Sequence, residues 1–396
     1  MRHFVRILLI FSGISVFSFY SGKAIGQVQD TPKPADSGHW IELFDGKTLT
    51  GWQAESNANW SVKDGEIRAD SGNLSLLRTT SQFDQFELAL EFQAAPNTNS
   101  GVFLWTSPKP TDPTVDCVEV NIVSGERHPY PTGSLVGRKR CEQETELSST
   151  EWHQMAIHVS NKQIIIYVDS KRVCDYVPPS PLGRGFIGLQ YNEGPIAFRN
   201  IRLRPLNLKS LVEDAEQEWT AGDESNTKWD FRDGKMSLVG GPGYISSKSE
   251  FADFVLQTRC QLATLESNSG IFFRCIAGEK LNGYECQLDN QIESGTTESP
   301  ADFGTGGIYR RQAASRVIAR PNEWFDLTIV ACGPHISTWV NGQQTVDWTD
   351  TRPPDANPRR GLRREAGPVM LQAHDANTDV KFSGFSIREI DARNRK

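Results

Sequence analysis

Six polar side chains in the second half of the chain could do acid–base chemistry together, provided strand geometry brings them to one face. In Tyr284-Glu-Cys-Gln-Leu-Asp289, alternation puts Glu285, Gln287 and Asp289 on one side and Tyr284, Cys286 and Leu288 on the other. In Ile271-Phe-Phe-Arg-Cys275, Arg274 shares a side with Phe272. In Val369-Met-Leu-Gln-Ala-His374, Gln372 and His374 stand opposite Val369, Leu371 and Ala373. If the three segments are neighbouring strands, these six residues converge. A carboxyl or an imidazole can move a proton, and a guanidinium can steady a developing oxyanion. Plainer readings stay open beside this one. The outer face of any half-exposed sheet is polar, Arg274 opposite a carboxylate makes an ordinary cross-strand pair, and His374 before Asp375 suits a surface turn. Asp, Glu and His also hold hard cations. No compact ligand spacing is present, so the cofactor stays open, with a divalent cation as one option.

The first half of the chain offers an internal comparison, because the sequence repeats. Trp60-Ser-Val-Lys-Asp-Gly65 recurs as Trp229-Asp-Phe-Arg-Asp-Gly234, and Asn99-Ser-Gly-Val-Phe recurs as Asn268-Ser-Gly-Ile-Phe. Tyr167-Val-Asp-Ser matches Trp339-Val-Asn-Gly, and Phe198-Arg-Asn-Ile201 matches Phe382-Ser-Gly-Phe385. Two homologous domains are expected, at 40–206 and 207–391. In the first, Glu119 takes the place of Glu285, Asn121 of Gln287 and Gln190 of Gln372. Val123 replaces Asp289, Trp105 replaces Arg274 and Asn192 replaces His374. The two copies therefore do not carry equal chemistry. Trp105 on a polar face would suit stacking against a sugar ring; a buried core indole is the alternative.

The elements that must hold these residues read as β-strands. Segments such as Phe86-Glu-Leu-Ala-Leu-Glu-Phe92 and Phe254-Val-Leu-Gln-Thr-Arg-Cys260 are short, alternating and rich in strand formers. Asp64-Gly65, Asp233-Gly234, Asn282-Gly283 and Asn341-Gly342 are hairpin signals between them. Sustained helical spacing is sparse; Leu208 to Trp219 is the best candidate and would bridge the copies. Many antiparallel strands in each copy predict a sandwich, with one sheet face free to carry a site. Gly304-Thr-Gly-Gly307 reads as a turn, Tyr309-Arg310-Arg311 as a pocket rim, and Arg359-Arg360-Gly-Leu-Arg363-Arg364 as a solvated loop.

Composition narrows the class. The chain has 396 residues with 42 Lys plus Arg against 49 Asp plus Glu, a net charge of −7. That balance speaks against non-specific nucleic-acid binding, which needs a basic surface. Residues 1–26 read as a secretory signal peptide: Arg2 and Arg6, an apolar run from Ile7 to Tyr20, then Ala24 and Gly26 before a cut at Gln27. Residues 27–39 follow as a linker. The protein is therefore expected to be secreted or periplasmic, without a membrane span after cleavage. Seven cysteines are an odd number. Buried thiols are as good a reading as a bridge such as Cys275–Cys286.

These motifs together resemble the 3-keto-disaccharide hydrolase domain family. Leu43-Phe-Asp-Gly-Lys-Thr-Leu-Thr-Gly-Trp52 is similar to its opening motif. Asn268-Ser-Gly-Ile-Phe-Phe-Arg274, Tyr284-Glu-Cys-Gln-Leu-Asp289, Thr305-Gly-Gly-Ile-Tyr309 and Leu371-Gln-Ala-His374 match further on. The resemblance implies an all-β protein of two tandem concanavalin A-like jelly-roll sandwiches. It also implies action on 3-keto-glycosides, by hydrolysis or by elimination across C1–C2. On that reading Glu285, His374 and Arg274 are catalytic, while Gln287, Asp289, Tyr309, Gln372, Glu119 and Trp105 bind a carbohydrate substrate. A pair of glycan-binding modules and an extracellular scaffold are the competing classes.

Overall fold

A computed structural model describes residues 38–112, 114–125, 128–179, 183–222 and 226–390. The expected signal peptide and most of the linker lie outside them. Among the described residues the strands form four antiparallel sheets, two of eight strands and two of five. Each eight-stranded sheet faces a five-stranded one across an apolar core, giving two successive sandwiches. The first runs from Ile41–Glu42 to Ile196–Pro205 and the second from Lys209–Ser210 to Asp379–Glu389.

Alternation decides what is inside. In Phe86–Ala94, Leu88, Leu90 and Phe92 are buried, while Glu91 turns out to pair with Arg199 at 2.7 Å. Three of the four turn signals are hairpins with both central residues left-handed: Asp64 and Gly65 at φ 54° and 80°, Asp233 and Gly234 at 51° and 68°, Asn341 and Gly342 at 48° and 77°. That geometry matches the twist of the flanking strands. Asn282-Gly283 is different. It closes a longer loop, and a Cβ on Gly283 would press on Cys275 Sγ at 2.5 Å. The expected bridging helix shrinks to one turn, Ala215–Glu218, because Lys209–Ser210 pairs with Asp379–Glu389 instead. No helix among the described residues is long and apolar enough to cross a membrane.

The two five-stranded sheets have the same order. In the second it is Trp219–Ala221, Gly243–Phe251, Gly367–Ala373, Ser269–Phe273, Tyr284–Leu288; in the first, Trp52–Ala54, Ser75–Thr79, Phe186–Glu193, Asn99–Thr106, Val118–Val123. The sandwiches share core: Val255, Val330, Cys332, Trp339 and Ile390 of the second pack into the apolar cluster of the first. Polar ties cross the same seam. Trp339 Nε1 donates to Glu42 O at 3.1 Å and Thr80 Oγ1 to Asp347 Oδ1 at 2.7 Å, while Arg388 pairs with Asp84 and Arg184 with Asp253. All seven cysteines are buried, unbridged thiols.

Candidate functional site

The three strands holding the expected site residues are adjacent in the second sandwich. Register sets two cross-strand rows on their outer face. One runs Tyr244, Gln372, Gly270, Gln287, and the next runs Ser246, Met370, Phe272, Glu285. Glu285 lies back across Gly270: a Cβ there would stand 2.6 Å from Glu285 Oε1. The glycine of Asn268-Ser-Gly thus makes room for the carboxyl.

The sheet is extended beyond its last strand by the loop that follows. Gln287 N donates to Gly307 O at 2.8 Å, Gly306 N to Gln287 O at 2.9 Å and Tyr309 N to Glu285 O at 2.9 Å. The carbonyl of Phe303 passes so close over Gly307 that a side chain there would collide with it. That passage folds the Ala301–Phe303 turn back onto the face, with Asp302 left-handed at φ 43°. Asp302 Oδ2 then accepts from Gln287 Nε2 at 3.0 Å. Tyr309 packs edge-on against Phe303 with centroids 5.2 Å apart, and the Arg310 guanidinium sits 5.2 Å above the Tyr309 ring.

Electrostatics single out Glu285. Burial, and then the Asp302 carboxylate, push its carboxyl up to about 8, with Arg359 and Arg310 pulling the other way. At neutral pH it therefore keeps its proton. Burial also raises Asp289, against the Gln291 N–H it accepts at 2.8 Å. Gln287 is only 2% exposed, yet its Oε1 meets no donor among the described residues; neither does Gln372 Oε1 or Asn268 Oδ1. Buried acceptors without donors are costly, so this floor is suited to a ligand that brings hydroxyls. Among the described residues no three His, Cys, Asp or Glu side chains stand together as a metal site.

Two expected site residues are elsewhere. Arg274 is fully buried and does not face Glu285. Its Nε donates to Ala252 O at 2.6 Å, Nη1 to Gly333 O at 2.8 Å and Nη2 to Asp253 Oδ1 at 2.9 Å. The strand ends at Phe273, and Arg274 is left-handed at φ 49°, so alternation stops one residue too early for the parity argument. Trp105 fails as a sugar platform for the same reason. It is left-handed at φ 52° and buried, with Nε1 donating to Asp84 O at 2.8 Å. Both side chains brace the seam.

His374 is on the outer face but at its far end, half-exposed, with Nδ1 2.9 Å from Asp375 Oδ2. Its electrostatic neighbour on the sheet is Asp289, four residues or about 13 Å along the strand from Glu285. The structure therefore gathers Glu285, Gln287, Gln372 and Tyr309, keeps Asp289 within the field of Asp302, and leaves His374 at the far end. Sequence reasoning missed Asp302 and Arg359. The basic run holding Arg359 is no free loop: Arg359 Nη2 donates to Leu281 O at 2.9 Å and Arg363 Nε to Arg274 O at 3.0 Å. The signal for Asp302 was the Gly-Thr-Gly-Gly motif, whose last glycine admits the turn.

In the first sandwich Glu119 lies over Gly101 in the same way, 6% exposed and pushed up to about 7 by burial. Val136 N donates to Glu119 O at 3.0 Å as Tyr309 N does to Glu285 O, so Val136 and Gly137 stand where Tyr309 and Arg310 do. Clefts of about 740 and 980 Å³ run along the seam instead. The first is lined by Asp84, Arg184, Asp253 and Arg388, already paired with one another across it. The unpaired floor beside Glu285 is the better candidate.

Known proteins are similar to this chain. The 3-keto-alpha-glucoside-1,2-lyase-like domain matches residues 39–204 and again 209–388. The chain belongs to this family. A 3-keto-disaccharide hydrolase of Bacteroides thetaiotaomicron is 22% identical over 237 residues, 44% of this chain and 81% of the relative. Among solved structures, a Parabacteroides distasonis protein whose glycosyl hydrolase assignment is provisional is 27% identical, covering 42% of this chain and all of its own, with a TM-score of 0.35. A Bacillus licheniformis β-glucanase is 18% identical over 44% of this chain and 99% of its own, TM-score 0.32. The family member described here is thus two concanavalin A-like jelly-roll sandwiches in tandem, a carbohydrate-active, hydrolase-like protein.

Proposed function

We propose that the second sandwich cleaves 3-keto-glycosides, and that it does so outside the cytoplasm, as the basic, apolar and small-residue pattern of residues 1–26 supports. The observation that carries the first part is the Glu285 carboxyl, held protonated beside Asp302 and flanked by Arg310 and Arg359. A carboxyl held protonated by burial, with a second carboxyl beside it, is placed to serve as an acid. A ketone at C3 of the sugar acidifies the C2 proton. Asp302 takes that proton, and the electron pair moves onto O3 as an enolate. Arg310 and Arg359 stabilise the enolate in the role first expected of Arg274. As the enolate collapses, C1–C2 becomes a double bond and the C1–O bond breaks. Glu285 gives its proton to the departing oxygen. Addition of water across the new double bond would complete a net hydrolysis. Gln287 and Gln372 hold ring hydroxyls through their unpartnered oxygens, and Tyr309 walls the site.

The test is aglycone release from a chromogenic 3-keto-glucoside. Wild type is expected to turn it over, and Glu285→Gln to lose about 10²–10⁴-fold. No release by wild type, with and without added divalent cations, overturns the proposal; a sugar that still binds then makes the face a glycan-binding module.

A further inference from the structure

The first sandwich holds a buried carboxyl that this chemistry does not use. Register places Leu76, Gln190, Gly101 and Asn121 in one outer-face row and Arg78, Gly188, Phe103 and Glu119 in the next. A Cβ at Gly101 would come within 3.2 Å of Glu119 Cγ and Oε1, so the glycine again makes the space in which the carboxyl lies. Gln190 is 7% exposed, and its side-chain amide donates to Glu119. Its Oε1 is left without a donor among the described residues, as is that of Gln372 at the same place in the other copy. An orphaned buried acceptor is costly unless something donates to it. Beside it, Leu76 and Phe103 form a small apolar cluster with Cys117 on the same face.

An unfilled acceptor next to a carboxyl, with an apolar wall alongside, matches a ring that carries hydroxyls on its edge and C–H bonds on its face. The parts used for cleavage are missing. Val136 and Gly137 replace Tyr309 and Arg310, and the loop that folds onto this face sets His128 and the Tyr130 carbonyl against Asn121, where the second copy sets the Asp302 carboxylate against Gln287. Asparagine and valine stand at the His374 and Asp289 positions, as Asn192 and Val123.

From this geometry we infer that the outer face of the first sandwich binds an uncharged sugar ring through Glu119 and Gln190 and does not cleave it. The site is independent of whether the second sandwich is catalytic. The probe is methyl α-glucoside, which has no C3 ketone and is inert to the proposed chemistry. Its binding to the full chain is followed by calorimetry in a Gln372→Leu background, which silences the second face. Saturable binding is expected there. Added Gln190→Leu or added Glu119→Gln should each weaken it at least tenfold, with a cooperative melt retained. Absence of saturable binding in the background variant overturns the inference, and so does full affinity in either added variant. Failure of the cleavage proposal looks different: no aglycone leaves a 3-keto-glucoside, while methyl α-glucoside still binds.

Discussion

Replacing Glu285 by glutamine should make the chain more stable as well as inactive. Burial and Asp302 lift the carboxyl from an ordinary 4.5 to about 8. Between those values the unfolded chain has released a proton that the folded chain keeps. Stability therefore falls as pH rises through that window, with no cost below 4.5 and the full cost above 8. A difference of about 3.5 units, at about 1.4 kcal/mol each, sets a ceiling near 5 kcal/mol. Water reaching the half-buried group and local relaxation bring this to roughly 2 kcal/mol. Glutamine fills the same volume without the charge, so the variant escapes the cost. Thermal melts of wild type and Glu285→Gln from pH 4 to 9 should coincide at the acid end. They should then separate with rising pH and run parallel above 8, the variant a few degrees higher. A pH-independent gap, or a wild type that melts higher at pH 8.5, would refute the reasoning, because the carboxyl would not be held protonated by its surroundings.

Other outcomes follow from the same geometry. Loss of the acid's proton should cut cleavage about tenfold per unit above pH 8, and Arg310→Gln should move that limb up, since Arg310 lowers Glu285. Asp302→Asn removes the base and should abolish cleavage, while moving the pH window of the melting difference down, since Asp302 raises Glu285. Arg274→Met should destabilise the fold by about 3–5 kcal/mol in denaturant unfolding, as expected when one partner of a buried ion pair is removed; a catalytic arginine would instead lower kcat and leave stability intact. Gly270→Ala puts a Cβ 2.6 Å from Glu285 Oε1, so kcat should drop roughly 10²-fold through displacement of the acid, while the melting temperature changes little because only the end of a flexible side chain must move.

The duplication, the all-β class and the two-sheet architecture were legible because alternation and Asp-Gly or Asn-Gly turns are local signals. Three of the four turns carry both left-handed residues that such dipeptides favour. The rows of the site were legible as far as the strands are regular, which is why Glu285, Gln287 and Gln372 do share a face. Arg274 and Trp105 were misplaced because one left-handed residue at a strand end reverses the parity on which the assignment rested. Asp302 left only the trace of the Gly-Thr-Gly-Gly motif, and Arg359 was not legible at all. One arrives through a turn that must cross Gly307, the other through an arginine-pinned loop, and neither the crossing nor the pinning has a periodic signature. The helix expected over Leu208 to Trp219 lost to strand pairing with Asp379–Glu389, a tertiary contact that outweighs local spacing.

The misplaced pair also explains how the two copies could diverge in chemistry without coming apart. Trp105 and Arg274 occupy equivalent strand ends; Trp105 donates to the Asp84 carbonyl, and Arg274 to the Ala252 carbonyl and the Asp253 carboxylate, on the seam. One side of that seam is therefore anchored by an indole in the shared core and the other by a guanidinium over carbonyls. Crossed ion pairs close it, Asp84 with Arg388 and Arg184 with Asp253. Burial raises Asp84 and lowers Arg388, so these charges contribute geometry more than net stability. The binding energy between copies comes from Val255, Val330, Trp339 and Ile390 entering the first core. None of these residues lies on the outer faces. Substitutions at Glu119 and at Glu285 leave these contacts in place, and the Arg359 loop joins the seam through main-chain oxygens, Arg363 Nε to Arg274 O and Arg274 Nη1 to Arg363 O, which is the condition under which one copy can lose Tyr309, Arg310 and Asp289 while the other keeps them and the pair still folds.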